Sequence, residues 1–258
     1  MRGTIVCVMS AVLFLVASVQ AGVIYSDSFE SGSLDVGWTV VPINATTNAT
    51  ALEVNSVRNA SPIGGQYAAY LNDTSDGMFH AIDETNGLTG PSTLGYWLYD
   101  STQTKAWGEV RAYSAAPFAT GSTLQQLFAA GKYNTVNLPG ETYNANKYQA
   151  RVLYGTNKGW FNLTDGPDRS TGWHRFDVER QDDGTTIKFY VDGIVARTIT
   201  GATQAAWDCA LMTGVRSPAL AGDAWFDGVV VTNTLVPEPA TFSLLALGAL
   251  GLLARRRA

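Results

Sequence analysis

The chain has 258 residues, 46% of them hydrophobic, with 17 basic and 22 acidic side chains and a formal net charge of −5. That balance excludes the basic footprint nucleic acid requires, and it disfavours anionic membrane surfaces as partners. Of the two cysteines, Cys7 and Cys209, only Cys209 lies in the globular segment, so no internal disulfide is expected to hold the fold.

In chain order, Arg2 precedes an apolar stretch from Ile5 to Ala17 that closes on Ser18-Val19-Gln20-Ala21. One positive charge, an apolar core and small residues three and one before a cut are the parts of a secretory signal peptide. Residues 1–21 are therefore expected to be removed by signal peptidase after Ala21, placing the rest of the chain across a membrane. Removing this segment and the C-terminal tail leaves 13 basic against 21 acidic residues, with all seven tryptophans and all eleven tyrosines.

From residue 22 to 235 turn signals recur, and the runs between them are short and alternate with period two, the pattern of an all-β sandwich. Expected strands are Val23–Phe29, Ala51–Val57, Gln66–Leu71, Met78–Ile82, Leu94–Asp100, Trp107–Tyr113, Tyr148–Tyr154, Trp173–Gln181, Thr185–Val191, Ile194–Thr200 and Trp225–Thr232. One helical patch is expected over Thr123 to Ala130, where Leu124, Leu127 and Phe128 recur at i, i+3, i+4. Within Gly172–Thr200, Asp183-Gly184 and Asp192-Gly193 are turns joining three antiparallel strands into a meander, with Phe176 and Val178 inward and Arg175, Asp177 and Glu179 on the solvent face. The run Ala206–Met212 is expected to bury Cys209 as an inert thiol. The four sequons, at Asn44, Asn48, Asn72 and Asn162, mark expected exposed loops.

Gly-Trp-His-Arg-Phe-Asp-Val-Glu-Arg at 172–180 followed by Ile-Lys-Phe-Tyr-Val-Asp-Gly at 187–193 resembles the laminin-G-like, concanavalin A-like jelly roll. An opening Asp27-Ser28-Phe29-Glu30-Ser31-Gly32 and a closing Ala224–Val231 agree with it. The resemblance implies two packed antiparallel sheets with the first and last strands as neighbours. It also implies a family in which members bind glycans or proteins, cleave glycans, or only build surfaces.

At the C-terminus, Pro237-Glu238-Pro239 precedes an uncharged apolar stretch, Ala240–Ala254, and then Arg255-Arg256-Arg257. As a helix the stretch would span roughly 22 Å at ~1.5 Å per residue, short of a hydrocarbon core of about 30 Å. The arginines would keep the C-terminus cytoplasmic. Residues 236–258 resemble the PEP-CTERM sorting signal of Gram-negative bacteria. That resemblance implies a short transmembrane helix in an inner-membrane intermediate, cutting by an exosortase near Pro237-Glu238-Pro239, and release to the cell surface or an exopolysaccharide matrix.

Catalytic motifs are missing. No Glu-x-Asp-x-x-Glu places two carboxylates about 5 Å apart as a retaining glycosidase needs, and there is no His-Glu-x-x-His or Gly-x-Ser-x-Gly. In Trp107-Gly108-Glu109-Val110-Arg111-Ala112-Tyr113, however, the odd positions put two aromatics, an acid and a base on one strand face. Aromatic faces stack on sugar C–H groups and charged groups take hydroxyls, so Trp107, Glu109, Arg111 and Tyr113 are expected sugar-contacting residues, with Arg151 and Trp160 adding to them. The opposite orientation, with Trp107 and Tyr113 in the core, is the competing arrangement. Asp27, Glu30 and Asp227 would meet if the end strands pair, and carboxylates in that position suit a structural calcium ion. The expectation is an exported, non-catalytic, polysaccharide-contacting jelly roll. Its alternatives are a carbohydrate-active hydrolase or lyase with an unfamiliar site, and an inert structural surface protein.

Overall fold

A computed structural model describes residues 22–41, 52–57, 62–71, 77–82, 87–101, 105–202, 205–214 and 224–233. The processing residues Ala21, Pro237, Glu238 and Pro239 lie outside them, as do the sequons at Asn44, Asn48 and Asn72. Fifteen strands are described. The first seven are β1 (Val23–Asp27), β2 (Trp38–Val41), β3 (Leu52–Asn55), β4 (Ala68–Leu71), β5 (Gly77–Ala81), β6 (Ser92–Asp100) and β7 (Ala106–Tyr113). Then come β8 (Leu124–Lys132), β9 (Gln149–Tyr154), β10 (Asn157–Asn162) and β11 (Gly172–Arg180). The last are β12 (Ile187–Val191), β13 (Ile194–Ile199), β14 (Cys209–Gly214) and β15 (Ala224–Thr232).

They form two antiparallel sheets. Sheet A has the order β13-β12-β11-β6-β15-β4-β3, with β1 also pairing β15, and sheet B has the order β10-β9-β8-β7-β14-β5-β2. As the jelly-roll resemblance implies, the first and last strands are neighbours, with Asp27 opposite Val229 and Val23 opposite Thr232. The core between the sheets comes from alternate residues: Leu94, Tyr96 and Leu98 on β6, Phe176 and Val178 on β11, Val110 on β7, and Phe128 and Ala130 on β8. The meander forms as expected. Asp192 and Gly193 take φ of 52° and 76°, the left-handed pair a two-residue hairpin needs.

Three expectations fail on burial. Residues 124–132 are a strand, β8, and not a helix, because β7 and β9 pair with both of its edges. Both faces of β8 are covered, so every residue from Gln126 to Lys132 is buried and period two disappears. Asp177 and Glu179 do point away from the core but are only 6% and 1% exposed. Glu179 accepts a hydrogen bond from Tyr190 Oη at 3.0 Å, and Asp177 accepts one from Arg175 Nε at 3.0 Å. Asn162 sits buried in β10 instead of an open loop, its amide donating to the Thr142 carbonyl at 2.8 Å.

Gly108 of β7 lies against the ring of Tyr96 from the opposite sheet. A methyl group there would come within 2.4 Å of the ring. Overpacking of this kind costs about 1–3 kcal/mol, so Gly108→Ala is expected to lower the free energy of unfolding in urea by that amount, with a lower midpoint. An unchanged midpoint would show that the sheets do not meet at this point.

Candidate functional site

The central strand of sheet B is β7, flanked by β8 and β14. Because Gly108, Val110 and Ala112 face the core, Trp107, Glu109, Arg111 and Tyr113 form a row on the outward face. This is the orientation the sugar-contact reading requires. Glu109 is the node of the row and is fully buried. Trp107 Nε1 donates to its Oε2 at 3.0 Å and Arg111 Nε to its Oε1 at 2.5 Å, while Arg111 Nη1 donates to Tyr113 Oη at 2.7 Å. Burial works against the Arg111 charge, but Glu109 and Tyr113 outweigh it and hold the guanidinium above its ordinary pKa. Burial also raises the Tyr113 phenol. On β14, Cys209 pairs with Arg111, and burial pushes its thiol well above the usual range, as an inert cysteine requires.

Arg151 and Trp160 are cross-strand partners on β9 and β10, and Trp160 reaches the β7 row. Its ring meets Trp107 edge-on at 5.1 Å and lies flat on Tyr133 at 4.1 Å, with the Arg151 guanidinium 6.0 Å from its centre. The six expected residues therefore share one face. They do not all reach solvent: Trp107 is 9% and Trp160 5% exposed, packed with Leu127 and Ala129 into a second, smaller hydrophobic cluster. The half-buried groups are Arg111, Tyr113, Tyr133 and Arg151. No sequence pattern marks Tyr133, which directly follows β8, or Lys105, whose ammonium lies 5.1 Å from the Tyr133 ring.

The carboxylates expected to hold calcium, Asp27, Glu30 and Asp227, are engaged in hydrogen bonds within the protein. Asp27 accepts hydrogen bonds from the Phe29 N–H at 2.6 Å, Trp38 Nε1 at 2.7 Å and Tyr25 Oη at 3.1 Å. Glu30 takes the N–H groups of Gln66 and Tyr67, and Asp227 that of Gly228. Among the described residues no three His, Cys, Asp or Glu side chains are grouped to hold a metal ion.

Residues 235–257 match the model of the PEP-CTERM protein-sorting motif. The chain carries a PEP-CTERM sorting signal. Export and a membrane-anchored processing intermediate follow from that motif. Comparison with curated proteins gives no match. Solved structures are similar in fold. One is domain 4 of an extracellular arabinanase from Geobacillus stearothermophilus, in complex with arabinotriose, at 14% identity and TM-score 0.53, covering 84% of this chain and 95% of that one. A second is a β-glucanase from Bacillus licheniformis, at 15% identity and TM-score 0.51, covering 81% and 97%. A third is an endo-1,3-β-glucanase from Streptomyces sioyaensis, at 16%, TM-score 0.50, covering 82% and 96%. The chain thus has the concanavalin A-like jelly-roll fold.

Breaking a buried charge pair leaves the remaining partner uncompensated. Glu109→Ala is expected to cost about 3 kcal/mol in urea unfolding, towards the lower end of that effect because Arg111 keeps some solvent. Glu109→Gln, which retains one acceptor, should cost clearly less. Equal losses in the two variants would remove Glu109 as the node of this face.

Proposed function

We propose that this exported PEP-CTERM protein contacts polysaccharide through the outward face of sheet B, as a component of the cell surface or extracellular matrix. Signal peptidase and an exosortase process it, and it touches the membrane only through its tail. The observation that carries the reading is the row on β7, in which a saturated, buried Glu109 fixes Arg111 and, through it, Tyr113. Rigid, half-buried aromatic and guanidinium groups lose little entropy when a sugar ring lies on them. Among the described strand residues facing outward from sheet B, Glu109 is the only carboxylate, and both its oxygens are engaged. Glycoside hydrolysis uses a pair of carboxylates, so these features favour holding a glycan over cutting one at this face. The arabinanase domain solved with arabinotriose lends the same fold to the same class of ligand.

Loss of a charge-assisted hydrogen bond to a sugar hydroxyl is worth about 1.5–3 kcal/mol, or tenfold and more. Arg111→Ala and Tyr113→Ala should each weaken binding to the tightest glycan of a neutral and acidic polysaccharide array by about tenfold or more, with the near-ultraviolet circular dichroism preserved. Lys188→Ala, on sheet A, should leave binding alone. Affinity that is indifferent to both sheet B substitutions would place the contact elsewhere. For processing, replacing Pro237, Glu238 and Pro239 by alanine should leave the protein in the membrane fraction with its tail attached, read by intact mass.

A further inference from the structure

At the start of β11 three side chains from separate pieces of the chain line up. Ser170 is in the segment between β10 and β11, His174 in β11, and Asp192 in the turn between β12 and β13. Ser170 Oγ lies 3.1 Å from His174 Nε2, and His174 Nδ1 lies 2.7 Å from Asp192 Oδ2. The other Asp192 oxygen accepts the Arg175 N–H at 2.8 Å, so the carboxylate is held in place. His174 is 9% exposed and its ring packs 5.3 Å from that of Tyr148. Ser170, in contrast, is exposed. It lines a cavity of about 400 Å³ together with Asp100, Asn146, Arg169 and Thr171.

The serine sits on a fastened segment. The Arg169 N–H donates to the Asn146 carbonyl at 2.8 Å, and Arg169 Nε donates to the buried Asp100 at 3.2 Å. An exposed hydroxyl, a buried imidazole and a carboxylate in series are the parts of an activated oxygen nucleophile: the carboxylate fixes the proton on Nδ1, and when the ring is neutral the Nε2 lone pair lies beside the hydroxyl.

We propose that Ser170, His174 and Asp192 are a nucleophile, base and orienting group that hydrolyse small carboxylic esters at the mouth of this cavity. Ser170 Oγ bonds to the ester carbonyl carbon as its proton passes to His174 Nε2. The C–O bond to the alcohol then breaks, and the alkoxide leaves with that proton. Water, giving a proton to Nε2, attacks the Ser170 acyl ester. The bond to Ser170 Oγ breaks, the serine recovers the proton, and the carboxylic acid departs. Asn146 and Thr171 line the same cavity, where the Asn146 side-chain amide and the Thr171 hydroxyl carry the donor chemistry that a developing oxyanion needs.

His174 Nε2 also lies 3.0 Å from the Ser170 carbonyl, an acceptor that favours the protonated ring. Burial depresses the His174 pKa, but Asp192, the Ser170 carbonyl and the charge of Asp100 outweigh it, and the net shift is upward. Other groups near the ring are Tyr148 and, beyond it, Arg169. Two consequences have opposite sign. The stability His174 contributes is complete below its unfolded value of about 6.5 and is lost as pH rises through the higher folded value, while the base needed for catalysis appears over that same interval.

The test uses p-nitrophenyl acetate hydrolysis and a fluorophosphonate label located by peptide mass spectrometry on the whole exported protein. The label is expected on Ser170. Ser170→Ala, which trims an exposed hydroxyl, should abolish labelling and lower hydrolysis at least about 100-fold, within the range for removing a general base or its nucleophile. Asp192→Asn keeps an acceptor for the Arg175 N–H and tolerates the positive φ of 52°, yet it presents a donor to Nδ1. It should fold normally and lose at least about 100-fold. Activity should climb along a limb centred above pH 6.5. No label on Ser170, hydrolysis by Ser170→Ala at the parent rate, or an unaltered Asp192→Asn would each overturn the assignment. None of these results bears on sugar binding by sheet B.

Discussion

Tyr96 joins the two sheets, and the rest of the structure is arranged around that contact. It stands on β6, next to both β11 and β15, and its side chain crosses the core to sheet B. Its hydroxyl donates to the carbonyl of Ala130 on β8 and lies 3.4 Å from that of Gly108 on β7. Complete burial raises the phenol far above its ordinary pKa, so it remains a neutral donor. The ring also stacks on Phe176 at 5.8 Å. Because this ring occupies the space beside Gly108, the parity of β7 is fixed. Even positions go inward, and Trp107, Glu109, Arg111 and Tyr113 have only the outer face available.

That outer face then has to accommodate a carboxylate with no solvent. The solution is to surround Glu109 with an indole N–H and a guanidinium and to close the sides with Leu127, Ala129, Trp160 and Trp107. Such a pair adds little to net stability compared with apolar packing. Its effect is geometric, since it holds Arg111 and Tyr113 in one conformation. A surface prepared in this way suits a flat, hydroxyl-rich ligand, and among the described strand residues on this face the one carboxylate, Glu109, is engaged.

Legibility in the sequence followed the number of buried faces. Where one face is apolar and the other polar, as in the β11–β13 meander, alternation identified both the strand and its inward side; for β7, with aromatics on its outer face, it identified the strand but left the inward side open. Where both faces are buried it failed, and β8 read as a helix because Leu127 and Phe128 are both apolar although they point to opposite layers. Short strands without a strong pattern, β2 and β10, went unseen, and β14 showed only as an apolar run. Charges on β11 looked solvated because sequence does not reveal the partners that bury Asp177 and Glu179. Nor does sequence show the hydrogen bonds that Asp27 and Glu30 accept from Trp38, Phe29, Gln66 and Tyr67. Ser170, His174 and Asp192 fit no contiguous motif. A strand and a hairpin turn bring them together, so only the fold makes them visible.

The most direct test of the central claim is amide and side-chain NMR mapping of the isotope-labelled exported protein titrated with gluco-, galacto- and arabino-oligosaccharides. The account predicts that shifts on saturation gather on Arg111, Tyr113, Tyr133 and Arg151, with the core signals of Tyr96 and Val110 undisturbed. Shifts confined to sheet A, or none with any of these sugars or with acidic bacterial polysaccharide fragments, would contradict it.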